Sequence, residues 1–216
     1  MTYSCGEGNH KLYSWCKELS NKKLSYRNNL DMETFIKTYE NAIPHTLCDA
    51  LIEKFESNKE QWENRDKRTE DRGNLKFNEV HLFKYMDTWK PEVEALADIF
   101  KTYTDEYKKK FSDFMFPPKY GIEPFKMKRY DANGLDEFGW HVDVNSTDSM
   151  KRWLAFFCYL SDNDEGHTSF PYQKVSSECK RGTIVIFPPM WPWLHQGAKP
   201  VDKPKYFLGS YLHYVD

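Results

Sequence analysis

What this chain has little of narrows its class before any motif is read. No apolar run approaches the roughly 18 residues that a membrane-spanning helix needs, and residues Met1 to Lys11 are polar, without the hydrophobic stretch of a signal peptide. Net charge is only -2, which argues against a grip on nucleic acid, because such binding needs basic charge clustered over a whole face. The five cysteines (Cys5, Cys16, Cys48, Cys158, Cys179) are odd in number, scattered and free of any Cys-x-x-Cys pair, so a reducing compartment fits best. Glycine is modest, at 10 residues. The expectation is a soluble, cytoplasmic protein with neither nucleic acid nor membrane as partner; the oligomeric state is not written in a readable form.

What is present is aromatic mass, 17% of 216 residues. That composition favours a packed globule, and the length suits one domain with an extension. Residues 1–34 are polar and aperiodic and read as an N-terminal extension of unassigned role; residues 35–216 read as the domain. Phe35 to Tyr39 looks like a short strand. Thr46 with Asp49 resembles a capping box, and Leu47, Leu51, Ile52 and Phe55 fall on one helical face. From Glu56 to Lys76 nearly every residue is charged or amide-bearing, which predicts a mobile surface loop: a solvated linker, or a lid over a substrate. Asn78 to Phe83 alternates weakly as a strand. Pro91 marks the first turn of the longest helix, carrying Val93, Leu96, Ala97, Phe100, Tyr103, Tyr107 and Phe111 on one face and ending in Lys108-Lys109-Lys110, favourable charge at a helix C-terminus.

Beyond Tyr120 the texture changes to short runs separated by turn residues: 122–130, 138–143, 153–160, 167–171, 183–187 and 205–213. This spacing predicts an antiparallel sandwich or jelly roll. Residues 153–160 are apolar on both faces, so that strand should be covered by the opposing sheet and by the N-terminal helices. The fold class expected is α+β, mainly β.

Within the second half, His141-Val142-Asp143 is the chemically marked triplet. In an extended chain residues two apart share a face, so an imidazole nitrogen and a carboxylate oxygen can meet at one point. Chance supplies roughly half of one His-x-Asp in such a chain, so a third donor must decide. His195, just after the run Gly182 to Phe187 ends at Pro188-Pro189, is the best candidate, giving the two-histidine, one-carboxylate set that leaves coordination positions open and suits non-haem Fe(II).

Here the sequence resembles a known family, the Fe(II)- and 2-oxoglutarate-dependent dioxygenases, and within it the prolyl 4-hydroxylase-like branch. The resemblance spans roughly residues 35–216 and is densest from 125 onward. It rests on Lys128-Arg129-Tyr130, Trp140-His141-Val142-Asp143, Arg152 to Ser161, Glu165 to Pro171, Gly182 to Pro188, His195-Gln196-Gly197 and Pro204-Lys205-Tyr206. It implies a double-stranded β-helix core with N-terminal helices packed on one sheet, and it makes His141, Asp143 and His195 the iron ligands. Lys205 would meet the 5-carboxylate of 2-oxoglutarate, and Tyr130, Tyr159 and Thr168 would hydrogen-bond it. The implied cofactors are Fe(II), 2-oxoglutarate and O2, with ascorbate as a further candidate; the implied reaction yields succinate, CO2 and a hydroxylated C–H bond.

On the substrate side the resemblance points to Arg152 at the mouth, with Trp140 and Trp193 as aromatic wall, and to a peptide or protein containing proline. The sequence departs from the family where Gly-Gly-Glu-Thr is replaced by Glu165-Gly166-His167-Thr168, and where a tryptophan is replaced by Tyr211. Those changes touch the pocket wall and leave the ligands intact. Three readings stay open: a prolyl peptide hydroxylase, an oxygenase of a free amino acid or other small molecule, and a cupin-type metal protein without oxygenase activity. Strict alternation from Tyr130 also turns Lys128 and Lys126 inward, with Phe125 and Met127 pointing away, unless a bulge resets the register.

Overall fold

A computed structural model describes residues 33–67 and 74–215. The chain divides between Thr34 and Phe35, and the fold below is that of the second unit. The extension of residues 1–34 lies, but for its last two residues, outside the described part.

Strand β1 (Lys37–Tyr39) leads into helix α1 (His45–Ser57), and β2 (Glu63–Lys67) and β3 (Leu75–His81) form a hairpin-like pair. Helix α2 (Met86–Lys109) follows, and then nine strands: β4 (Tyr120–Ile122), β5 (Lys126–Tyr130), β6 (Glu137–His141), β7 (Arg152–Tyr159), β8 (Asn163–Phe170), β9 (Val175–Cys179), β10 (Ile184–Phe187), β11 (His195–Gly197) and β12 (Lys205–Tyr214). Every pairing is antiparallel, in the order β1-β10-β7-β12-β5-β3-β6-β11-β8-β9. β3 pairs with β2 along one edge and, along the other, with β5 at residues 78–81 and with β6 at residues 75–76, so it links the long sheet to the smaller one and nearly closes the double-stranded β-helix.

β7 is the seam of the core. Leu154, Phe156 and Cys158 face α1 and α2, where they meet Leu51, Phe55, Leu96 and Phe100; Ala155, Phe157 and Tyr159 face the smaller sheet, where they meet Phe170, Val185 and Phe187. A strand buried on both faces has no use for polar alternation, hence its continuous apolar run.

Three local expectations need correction. The Thr46–Asp49 cap does not form: α1 begins at His45 after Pro44, with no side-chain cap, so Thr46 is already inside the first turn. α2 begins at Met86, and Pro91 sits within it rather than opening it. The segment 56–76 is not a featureless loop, since it contains a 3-10 turn at Lys59–Gln61, all of β2 and the start of β3. Trp62 anchors it, stacking 4.9 Å from Phe55 and donating from its indole nitrogen to the Phe55 carbonyl at 2.9 Å. As an edge strand, β2 tolerates polar side chains because its order comes from the backbone ladder to β3 and cross-strand pairs such as Arg65 with Glu79. Residues 68–73, the centre of the proposed lid, lie outside the described part. β9, polar on its outer positions, carried too weak an alternation to be expected.

Candidate metal centre and cosubstrate pocket

The register of β11 against β6 sets His195 directly opposite His141, with ring centroids 4.2 Å apart. Asp143 stands two residues beyond His141, where the chain has left the strand. Its Oδ1 lies 3.6 Å from His141 Nε2 and its Oδ2 3.6 Å from His195 Nε2. One donor atom from each of the three falls within 4.8 Å of the others. Bonds of about 2.1 Å can reach a common centre from donors so spaced.

The tautomers suit a cation. His141 Nδ1 lies 2.7 Å from the Gly139 carbonyl and His195 Nδ1 3.0 Å from the Trp193 carbonyl. A carbonyl only accepts, so each ring carries its proton on Nδ1 and turns the Nε2 lone pair toward Asp143. Phe138 stacks on the His141 ring at 3.6 Å and fixes its plane. Burial pushes His195 down to about 4, against the pull of Asp143, so the ring is neutral near pH 7. Burial alone would raise the Asp143 carboxyl, yet the neighbouring His195 and His141 and the Tyr211 hydroxyl hold it well below the usual carboxylate range. Two imidazoles presenting Nε2 and one ionised carboxylate match the donor set of an open Fe(II) site.

Across a cavity of about 1190 Å³ from this triad lies Lys205, at the start of β12 and 1% exposed. Its ammonium donates to the Gly166 carbonyl at 3.0 Å and the Ala198 carbonyl at 3.3 Å, and stands 4.8 Å from the centre of the Tyr130 ring. It makes no ion pair with any described residue, and burial pushes it down to about 8. Gly166 and Gly197 make the slot: a Cβ at 166 would come within 2.8 Å of Lys205 Cδ, and one at 197 within 3.4 Å of Nζ. A buried ammonium without a counter-charge is costly, and a dicarboxylic acid reaching from metal to lysine would supply one. The residues present therefore fit both Fe(II) and 2-oxoglutarate.

The remaining expected site residues divide. Tyr130 and Thr168 line the cavity with Lys205. Tyr159 does not: its hydroxyl donates to Thr168 Oγ1 at 2.7 Å and lies 2.8 Å from Ser177 Oγ, leaving Thr168 its own hydrogen to offer inward. Trp140 is at the rim, 43% exposed, whereas Trp193 lines a separate small apolar groove with Phe111 and Phe116. Arg152 lines the cavity, but its fork is closed on Glu123, at 2.7 and 2.9 Å, with a third bond at 3.2 Å to the Asp143 carbonyl.

Reading the sequence missed two contacts here. The Tyr211 hydroxyl donates to Asp143 Oδ1 at 2.7 Å, and its ring lies 4.0 Å beneath the Arg152 guanidinium. The replacement of tryptophan at 211 was visible, but not that its hydroxyl would meet the aspartate. Lys128 and Lys126 do face the cavity, as alternation from Tyr130 requires, since β5 pairs with β12 without a bulge.

An antiparallel β-helix that brings two imidazoles and a carboxylate together is a jelly roll with a candidate metal site. The family described as the 2OG-Fe(II) oxygenase superfamily matches residues 125–213, the segment that carries the triad and Lys205. No curated protein matches the sequence. The viral collagen prolyl hydroxylase from Paramecium Bursaria Chlorella virus-1, solved with 2OG, superposes with a TM-score of 0.58 at 17% identity, covering 87% of this chain and 100% of that one. A Trichoplax adhaerens prolyl hydroxylase in complex with a hypoxia inducible factor peptide fragment gives a TM-score of 0.65 at 13% identity, over 95% of this chain and 94% of that one. A Pseudomonas putida prolyl-4-hydroxylase gives 0.50 at 15%, over 85% and 94%. The fold is that of these prolyl hydroxylases, and the family match together with the triad supports a 2-oxoglutarate-dependent dioxygenase using Fe(II) and O2.

Proposed function

We propose that this dioxygenase hydroxylates a prolyl residue in a peptide or protein, with His141, Asp143 and His195 holding the iron and Lys205, Tyr130 and Thr168 holding 2-oxoglutarate. The observation that carries the assignment of residues is the placement of an unpaired, buried Lys205 across one cavity from the triad. When bound, the iron and its keto acid would activate O2, with one oxygen atom ending in the C–OH of the substrate and the other in succinate as the keto acid loses CO2. The chain's own residues do the rest. Lys205 and the Thr168 hydroxyl, backed by Tyr159, orient the far carboxylate; Phe138 and Tyr211 hold the ligand side chains in plane; the apolar faces of Phe157, Phe187 and Phe207 keep bulk water out.

A peptide substrate is supported by the size of the cavity, beyond the roughly 300–1,000 Å³ of small-molecule pockets, by its open mouth and by the exposed Trp140 at the rim. The three similar structures carry prolyl hydroxylase names, and one of them holds a peptide. The buried free thiols Cys48, Cys158 and Cys179 favour a reducing, cytoplasmic setting. The test is succinate release from 2-oxoglutarate with Fe(II), followed by a peptide library scored for addition of one oxygen. Succinate without any modified peptide, and with a modified amino acid instead, would support the small-molecule reading. No succinate under any condition would leave a cupin-type binding protein.

A further inference from the structure

Two lysines of β5 that line the cavity are not used by the reaction just described. Along β5 the inward residues are Tyr130, Lys128 and Lys126, which pair in β12 with Lys205, Phe207 and Gly209. At about 3.3 Å per residue, this row climbs from the cosubstrate lysine toward the level of Tyr211 and the triad. Lys128 Nζ lies over three aromatic rings, 4.7 Å from the centre of Phe77, 4.8 Å from Phe138 and 5.6 Å from Phe207. Neither Lys128 nor Lys126 makes a hydrogen bond or ion pair with any described residue. Ring faces attract an ammonium but accept none of its three N–H donors in the way an oxygen does. Acceptors for these two groups must come from what fills the cavity.

Nearby acids are already committed. Glu79, opposite Lys128 across β3 and β5, accepts from Arg65 Nε at 2.6 Å and meets His81 at 3.0 Å. Glu63 is held by Arg65 and Lys84. Glu123 is closed on Arg152. Asp143 belongs to the metal, and one carboxylate of 2-oxoglutarate to Lys205. With iron and cosubstrate in place, Lys126 and Lys128 remain as positive charge inside a low-dielectric cavity facing the substrate.

Building on the prolyl-peptide reading above, we propose that Lys126 and Lys128 are specificity-determining residues selecting a substrate that carries a carboxylate beside the carbon to be hydroxylated. In a peptide this is an Asp or Glu adjacent to the target residue; the same chemistry is met by a small free acid, and the test separates the two sources.

The experiment uses the full chain with Mn(II) in place of Fe(II) and saturating 2-oxoglutarate, so that binding is read without turnover. The probes are three fluorescent prolyl peptides differing only in a flanking Asp, Asn or Lys, with N-acetylaspartate as competitor. The Asp peptide should bind roughly tenfold to a hundredfold more tightly than the Asn peptide, and the Lys peptide weakest of all. Lys128→Met and Lys126→Gln should each reduce that ratio by about tenfold, and Lys126→Glu should reverse it toward the Lys peptide. Should Lys128→Met fail to fold, the two substitutions at the more open position 126 carry the test. Displacement by N-acetylaspartate at similar concentration identifies a free acid as the source of the carboxylate; displacement only by peptide identifies the side chain. Equal binding of the Asp and Asn peptides, or binding of none of the probes, overturns the proposal. So does a Lys128→Met variant that loses 2-oxoglutarate affinity while keeping the Asp preference. Succinate release by the wild-type enzyme with Fe(II), measured in parallel, shows whether the oxygenase reading stands when the charge preference fails.

Discussion

Asp143 answers to three neighbours at once, the two histidines whose Nε2 atoms lie 3.6 Å from its carboxylate oxygens and the tyrosine that donates to it. The Tyr211 hydroxyl takes up one carboxylate oxygen at 2.7 Å, and Arg152 presses on the same ring while bonding the Asp143 carbonyl. Partners of metal ligands commonly tune affinity by about ten to a hundredfold. Tyr211→Phe should therefore weaken Mn(II) binding by roughly tenfold, with little loss of stability, as measured by titration and by thermal unfolding. Lys205 gives the sharper residue-scale prediction. Lys205→Met should raise the dissociation constant for 2-oxoglutarate by at least roughly thirtyfold, since a buried charge-assisted contact is lost. It should also make the ligand-free protein more stable by about 1–3 kcal/mol at pH 7, because an apolar side chain replaces a buried ammonium. A variant that binds 2-oxoglutarate normally would remove Lys205 from the site.

At the scale of elements, β5 and β12 illustrate how one register serves two purposes. Met127 and Leu208 face the helices while Lys128, Tyr130 and Lys205 face the cavity, so a one-residue slip would exchange core for site. Gly166 in β8 is tied to the same slot. Gly166→Ala would drive a methyl to within 2.8 Å of Lys205 Cδ and 3.0 Å of Asn163 Cβ, and should reduce 2-oxoglutarate affinity several-fold while the triad still binds Mn(II). Helix α2 contributes through Phe100, which packs 4.1 Å from Phe156 and 5.4 Å from Phe125. Phe100→Ala should cost about 3–5 kcal/mol in chemical denaturation, without altering the cavity side of the sheet.

The whole molecule carries a pH signature that follows from its buried charges. Lys205 and Lys128 have an ordinary value of 10.5 and are pushed down to about 8 by burial. Between those values the unfolded chain binds more protons than the folded one, so stability rises with pH. Three buried thiols, Cys48, Cys158 and Cys179, act in the opposite sense above their ordinary 9.0, because burial raises them. Net stability of the ligand-free protein should thus climb from about pH 8 to 9 and then flatten. 2-Oxoglutarate needs Lys205 protonated, so its affinity should fall above about pH 8 by up to roughly tenfold per unit. Calorimetry in buffers of different ionisation enthalpy should show proton uptake on binding at pH 8.5; no uptake would contradict the assignment of the lysine as its partner.

The convergence of His141, Asp143 and His195 was legible from the chain because a two-histidine, one-carboxylate set needs those residue types, the placing of Lys205 was implied by the family resemblance, and the buried strand β7 was legible because double-sided burial leaves a continuous apolar run. The inward turn of Lys128 was also implied by alternation, since period-two geometry is local. Contacts between distant segments were not. That β11 would set His195 opposite His141, that Tyr211 would reach Asp143, that Glu123 would close the Arg152 fork and that Tyr159 would act only through Thr168 all depend on strand register across the sheet. β2 escaped notice because an edge strand is ordered by backbone pairing, which leaves no apolar trace in its side chains. The sequence by itself determined, through residue type, spacing and the family resemblance, which groups were candidates for the site, and through its apolar runs how the core is layered. Only the tertiary structure decided which of those groups are already neutralised by a neighbour and which remain for a ligand, because charge balance in a cavity is a property of three-dimensional neighbours and not of sequence order.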